Sequence, residues 1–541
     1  MKKVMSVFLA AVFVFSCINL SFIPVNAITD YTTGVTENGI SYSIDNETGE
    51  LTVTWADFST TDLVIPAYID GRPVTTIGDN LLNDTTNPNL RSVVIPDTVT
   101  KIGFYAFGNC INLESVVMSN NIEYVEDYAF QNTALTNNTD KWENGALYIG
   151  KFLYGVLPNY SGEFVIKDGT KVIGNYCFSG LNRNGCERIT RVFIPDTVVQ
   201  IGLFAFYNCK GLTSIDIPES VRYIDNSAFG NCVNLSKINV NTSKLSYVGQ
   251  TIVYNTAFFY DENNWQDDVL YLKTAALCGK TTITNLKLKK GTEIVADYAF
   301  ACNDNIVSVS LPNSLRIICQ LAFDDLHSLP SIALPDGLEY IANNAFDGCD
   351  LLTEIDIPSS VNYIGLFAFN RTDNLEKLII RNPDCIIIDN HDEYSGGAYS
   401  VNPNTTVYGE EGSTAETFAN NNGVNFVTLF SESGRTGDCS WTFDIISGVL
   451  SISNMGSSYA NIGSYSYGKA PWFAFRESIK AVIADNNIYT VGSNAFVGCE
   501  SIETVYMPDV KEIGDSAFEG CSSLKNVEFS SYISSRSVFA A

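Results

Sequence analysis

The sequence predicts a β-rich α/β solenoid, a coil of short stacked rungs, and three observations predict it. First, an apolar frame L-x-x-I-x-I-P-x-x-V-x-x-I-G-x-x-A-F recurs along the 541-residue chain, most plainly from Leu352 as LTEIDIPSSVNYIGLFAF. The same frame starts at Leu90, Leu113, Ile189, Leu212, Ile306, Leu329, Ile479 and Ile502. Second, its Ala-Phe pair keeps register: Phe107 and Phe130, Phe206 and Phe229, and Phe300, Phe323, Phe346 and Phe369 fall 23 residues apart, and Phe496 and Phe518 fall 22 apart. Third, the frame opens with period-two alternation, the mark of a strand with one buried face. No rung of this length can bury its apolar residues alone, so the rungs must stack.

Within a rung, L-x-x-I-x-I is expected to give one strand, ended by Pro, which cannot donate to a ladder. V-x-x-I-G returns the chain, and Gly is expected to permit the turn before Ala-Phe. A period in the range of about 20–29 residues with this apolar spacing is of leucine-rich-repeat type.

Taken in order, residues 1–27 open with Lys2 and Lys3, continue in an apolar run and end in Val25-Asn26-Ala27. This is the pattern of a cleaved signal peptide. Cys17 offers lipidation as an alternative anchor, but Phe15 fits that pattern poorly. Residues 28–62 are expected to form a β-hairpin cap, because 40–54 alternate around Glu47-Thr48-Gly49. The main array spans 63–430 and starts with a degraded rung in which Leu81-Leu82 replaces Ala-Phe.

Inserts near 132–168 and 247–290 interrupt the array in the same way. Asn132-Thr133-Ala134, Trp142 and Leu147-Tyr148-Ile149 match Asn255-Thr256-Ala257, Trp265 and Leu270-Tyr271-Leu272 at equal spacing. They are expected to be two copies of one enlarged rung. A cap is expected at 400–430, where Ser413 and Glu416 have the spacing of a helix start. Residues 431–478 then repeat the hairpin design as a second β cap module, and 479–541 form a short second array.

Composition limits function. There are 32 basic and 60 acidic residues, a net charge of −28, and loss of Lys2 and Lys3 with the leader makes the mature chain more acidic still. Such a surface repels nucleic acid and anionic lipid, so no nucleic-acid partner is expected. No second apolar stretch is long enough to span a membrane. Cys110, Cys209, Cys232, Cys349, Cys499 and Cys521 each stand three residues after a register Phe, as small buried groups of the coil. Cys209 with Cys232, Cys499 with Cys521, and Cys177 with Cys186 remain open as pairs.

IPDTVTKIGFYAFGNC (95–110) and IPDTVVQIGLFAFYNC (194–209) closely resemble the BspA-like leucine-rich-repeat family of bacterial surface and secreted proteins. VYGEEGSTAETFANNNGVNF (407–426) and GDCSWTFD (437–444) also look like segments that accompany such arrays. The resemblance covers most of residues 35–530. It implies an extracellular protein that binds proteins or glycans of host or neighbouring cells, as in adhesion, and it brings no catalytic residue.

The residues agree with that. There is no G-x-S-x-G, H-E-x-x-H or P-loop, and neither C-x-x-C nor another metal spacing, so no catalytic residue, cofactor or metal is expected. Asp389-Asn390-His391-Asp392-Glu393 and the acids around Trp265 are polar loops that also offer metal ligands. Candidate binding residues lie where the strand faces outward: Val94, Val117, Phe193, Asp216 and Asp356, flanked by Arg91 and Arg191. Exposed together, the apolar ones would mark an interaction patch. Trp142 and Trp265 are candidates as projections of the inserts or as rings packed under longer loops. An extracellular glycan-active enzyme, or a scaffold module accompanying catalytic domains, is the alternative reading. The oligomeric state is not legible.

Overall fold

Two strands, not one, come from each regular rung but the one from Leu329. In the rung that begins at Leu90 these are Ser92–Val94, from the alternating segment, and Lys101–Ile102, from the return segment V-x-x-I. The return segment forms a strand because its last two residues pair in parallel with the same two of the next rung, as Lys101 and Ile102 do with Tyr124 and Val125. The alternation in L-x-x-I-x-I makes one strand visible in sequence; a two-residue strand has no periodicity to read.

The computed structural model describes residues 31–388 and 401–535, apart from 38, 46–49, 57–58, 83–86, 180–184, 430 and 532–533. The leader, Cys17 and the 389–393 run with His391 lie outside the described residues. The chain divides into two units, Met1–Val407 with Ser413–Phe426, and Tyr408–Gly412 with Val427–Ala541.

In the first unit, Tyr31–Val35, Ser41–Asp45 and Leu51–Trp55 are antiparallel, and Leu51–Trp55 passes the ladder on in parallel to Arg72–Ile77. From there the unit is a parallel β-solenoid with a long-strand face and a short-strand face. Register phenylalanines form its spine. Phe206 stacks on Phe178 at 4.6 Å and on Phe229 at 5.3 Å, and Phe346 lies 5.4 Å from Phe323 and 5.9 Å from Phe369, all within 15° of parallel. These separations are close to the ~4.8 Å between neighbouring strands, so one ring per rung stacks along the interior.

The conserved-looking turn of the frame has a different cause from the one its glycine suggests. Gly103 and Gly202 do not have positive φ; the left-handed residues are Tyr105 at 55° and Phe204 at 51°, directly before Ala-Phe. Their N–H groups donate to the next rung, at Asp127 O and Asn226 O, both at 3.0 Å. Glycine is needed instead for inter-rung approach: a Cβ on Gly202 would stand 2.2 Å from Asn175 Oδ1 and 2.9 Å from the Gly174 carbonyl carbon.

Residues between 132 and 168 and between 255 and 290 leave the rung pattern through the same series of elements. Each runs from a single helical turn, Ala134–Asn137 or Ala257–Tyr260, through a 3-10 turn, to an antiparallel pair. The pairs are Ala146–Ile149 with Phe152–Val156 and Val269–Leu272 with Ala275–Gly279. Each pair opens a new segment of the short-strand ladder: one segment ends at Tyr124–Val125, the second runs from Ala146–Ile149 and Phe152–Val156 through Val172–Ile173 to Tyr247–Val248, and the third runs from Trp265–Gln266, Val269–Leu272 and Ala275–Gly279 into Ile294–Val295. The long-strand ladder is also broken at the rung from Leu329, whose alternating segment is not a strand although Ala333 is exposed.

Thr414–Asn422 is a helix, with Ser413 Oγ accepting the Glu416 N–H at 3.3 Å and Gly423 closing it at φ 65°. In the second unit, Ser431–Thr436, Cys439–Asp444 and Val449–Asn454 are antiparallel, and Val449–Asn454 continues in parallel through Ala481–Ala484 and Thr504–Met507. Its buried core is its own, centred on Trp472, Phe496 and Phe518.

All thirteen described cysteines are free. The Cys232, Cys349 and Cys521 thiols donate to the carbonyls of Phe206, Phe323 and Phe496 at 3.0, 3.1 and 3.3 Å, each the register Phe of the preceding rung. Burial pushes the Cys110, Cys349 and Cys499 thiols up to about 12, so they stay protonated and unreactive.

Candidate interaction surfaces

The long-strand face places most of the sequence-derived candidates on two short runs. Parallel register aligns Val64, Val94 and Val117, which are 62 %, 37 % and 56 % exposed. In the next long-strand sheet Val165 lies opposite Phe193, also exposed. The Arg191 guanidinium stands 4.5 Å from the centre of the Phe193 ring and so covers one side of it. Arg91 is exposed beside Ser92–Val94. Val64 and Val165 belong with these residues but escaped the sequence reading, because their rungs lack the full frame.

Farther along, this face becomes polar and satisfies itself. Asp216 accepts from the Asn239 amide, and Asp356 is held by both Nε and Nη2 of Arg381 at 2.6 and 2.7 Å. Asp356 is therefore already neutralised within the protein. The two tryptophans are half-buried. Trp142 meets Tyr154 edge-on at 6.3 Å. Trp265 donates its indole N–H to Phe259 O at 2.8 Å, packs on the Phe259 ring and lies under Lys280 Nζ at 5.1 Å. Both rings hold the interrupting segments together.

The short-strand face carries a second surface that was missed. The residue before the second anchor is tyrosine at 124, 223, 247, 340 and 363, each of them at least partly exposed, whereas Val172, Gln200, Ile294 and Ile317 at the same position are buried. Tyr223 is in register with Tyr247, and Tyr340 with Tyr363; the latter rings are parallel within 2° at 4.5 Å. The signal was present in sequence as the triplets E-Y-V, R-Y-I, S-Y-V, E-Y-I and N-Y-I.

Where the interruptions cut the ladder, its segments close upon each other. Across the first, the Tyr124 and Tyr223 rings meet edge-on at 5.8 Å, and Gln200 Oε1 accepts the Val125 N–H at 3.2 Å. Across the second, the Asp297 N–H donates to Val248 O at 3.0 Å, and Arg316 Nη2 donates to Ser243 O at 3.1 Å. The three segments thus surround one cavity of about 700 Å³.

Its charged lining is Lys101 and Arg316 with Glu123, Glu126 and Glu339. Lys101 Nζ lies 3.7 Å from Glu126 Oε1, and Arg316 Nη1 lies 3.3 Å from Glu339 Oε2. Burial, opposed by Lys101, raises the Glu126 carboxyl to about 8. Burial also raises Asp225 to about 7, although Gln200 Nε2 donates to it at 2.7 Å. Tyr247 donates its hydroxyl to buried Asp297, whose carboxyl burial also raises.

Among the described residues one group of metal-ligating types is close enough to share an ion, Cys302 with Asp324 and Asp325. Arg371 already supplies the cation there: its guanidinium reaches Asp347, Asp325 and Asp324 at 2.8, 3.0 and 3.4 Å. No helix among the described residues is long and apolar enough to cross a membrane.

A ~23-residue period, parallel ladders and a phenylalanine spine define a leucine-rich-repeat solenoid. The BspA type leucine-rich repeat region family matches residues 75–182, 148–277, 270–391 and 449–540 in six copies, and the chain belongs to that family. Solved structures similar to it include a leucine rich cell surface protein from Faecalibacterium prausnitzii, at 22 % identity over 68 % of this chain and 97 % of that one, with a TM-score of 0.24. The pneumococcal vaccine antigen PcpA matches at 18 % identity over 74 % and 99 %, TM-score 0.28. A leucine-rich-repeat protein from Bacteroides ovatus matches at 18 % over 95 % and 90 %, TM-score 0.18. No curated protein matches the chain.

Proposed function

We propose that this is a secreted or cell-surface binding protein, non-catalytic, which engages an extracellular protein or glycan of a host or neighbouring cell. The long-strand face at Val64, Val94, Val117, Val165 and Phe193 makes the contact, with Arg91 and Arg191 flanking it. One observation carries this reading: large apolar side chains stand exposed in register on rigid strands, where a soluble rung has no structural use for them. Membership of the family and the signal-peptide pattern of residues 1–27 support it. On this face Asp356 and Asp216 are held by Arg381 and Asn239.

Residues 28–541 and a Val94→Arg, Phe193→Arg double variant are to be compared for retention on immobilised extracellular matrix proteins and glycans. The expected result is capture by the parent and at least a ten-fold loss in the variant at unchanged circular dichroism, about 1.4 kcal/mol. Equal capture by both would move the contact off this face, and no capture by either would reject the reading.

A further inference from the structure

The cavity on the short-strand face is separate from the surface just described and has the chemistry of a small-ligand site. Its volume of about 700 Å³ falls within the ~300–1,000 Å³ typical of ligand pockets and is too small to admit a folded domain. It is assembled from rungs far apart in sequence, at 100–126, 223–247 and 316–363, brought together by the breaks in the ladder. Other short strands carry Lys101, Val172, Gln200, Ile294 and Ile317 at the first position. Where the three segments meet, that position holds tyrosine in each of them, at 124, 223, 247, 340 and 363.

The lining decides the class of ligand. Its aromatic rings expose phenol edges and hydroxyls, and amides of Gln320, Asn343 and Asn362 stand among them. The charged groups of the lining are of both signs, Lys101 and Arg316 with Glu123, Glu126 and Glu339, and each cation stands beside a carboxyl group, Lys101 at 3.7 Å from Glu126 and Arg316 at 3.3 Å from Glu339. Neither sign dominates to select an anion or a cation. On a chain with a net charge of −28 this mixed lining sets the cavity apart. An uncharged ligand with many hydroxyls and apolar C–H faces satisfies both the rings and the amides. Parallel rungs also repeat every ~4.8 Å, close to the length of one pyranose residue in an extended chain, so successive sugars can meet equivalent side chains of successive rungs.

We propose that this tyrosine-lined cavity binds a neutral oligosaccharide, with Tyr340 and Tyr363 as its principal contacts. Binding here does not depend on the long-strand face.

The test uses residues 28–541 and neutral hexasaccharides of glucose, mannose, xylose and N-acetylglucosamine, with a uronic-acid oligomer and a proline-rich peptide as comparators, read by calorimetry and by saturation transfer from protein to ligand. The expected result is binding of at least one neutral oligosaccharide. Tyr340→Ala and Tyr363→Ala should each weaken it about ten-fold or more, while Val94→Arg, Phe193→Arg leaves it unchanged. Tyr340→Phe keeps the ring stack and removes only a hydroxyl, so a smaller loss in this folded variant separates ligand contact from damage to the rung. Failure of the whole neutral panel to bind, binding confined to the uronic-acid oligomer or the peptide, or binding indifferent to Tyr340 and Tyr363 would each overturn the proposal.

Discussion

Glu126 and Asp225 are carboxyl groups whose burial costs more than their partners return. Their ordinary values of 4.5 and 3.8 rise to about 8 and about 7. A carboxyl with a raised value in the fold holds its proton where the unfolded chain has released it, so the fold is favoured at low pH and loses that advantage as pH rises. From these two groups the contribution is full below about pH 4 and is lost progressively up to about pH 8. The melting temperature of the first unit should therefore fall from pH 5 to pH 8, and Glu126→Gln, Asp225→Asn should flatten that fall. An identical slope in parent and variant would show that these carboxyls are ionised throughout. The register phenylalanines and the buried positions of Cys110, Cys209, Cys232, Cys349 and Cys499 were legible one residue at a time, because a side chain repeated at fixed spacing has to occupy one fixed place in a stacked coil; Cys521, expected to be buried like them, is only partly so. The raised carboxyls were not, since Glu126 and Asp225 are about a hundred residues apart and are associated only through the closing of the ladder. Nor was the role of Gly202, whose neighbour Asn175 belongs to another rung.

At the scale of the element, the rung frame could be read because its alternating strand has a period, whereas the two-residue return strand has none. The outward tyrosines stand on that second strand, which explains why the cavity was not anticipated. Equal spacing suggested that the inserts near 132–168 and 247–290 are copies of one another; in the fold, Ala134–Val156 and Ala257–Gly279 each run through a helical turn, a 3-10 turn and an antiparallel pair. Trp265 holds the second of them: its indole N–H is bonded to Phe259 O and its ring lies between Phe259 and Lys280. Trp265→Ala should cost about 2 kcal/mol, less than the ~3–5 kcal/mol of a fully buried tryptophan, because this ring is half-buried. The loss should be local, seen as faster amide exchange and protease cleavage within 255–290, with Trp265→Phe keeping much of the protection. Unchanged exchange in the alanine variant would place the anchor of that segment elsewhere.

Across the whole molecule, the array restarts in residues that have their own interior. Every buried residue of the second core lies between Cys439 and Phe518, and none is shared with the first unit. Stability of a repeat protein is a sum over rungs and the interfaces between adjacent rungs, so a break in that chain of interfaces also divides the cooperativity. The full chain should therefore unfold in two transitions. Trp472 tests which belongs to the second unit: it is wholly buried, stacks on Phe496 at 5.3 Å and donates its indole N–H to Ala495 O at 2.8 Å. Trp472→Ala should cost about 3–5 kcal/mol in that unit, by loss of packing and an unfilled cavity. Scanning calorimetry of residues 28–541 should show one transition moved down and the other in place, and residues 430–541 alone should reproduce the transition that moves. A single transition that shifts as a whole would mean that the two cores, though built from separate residues, unfold together.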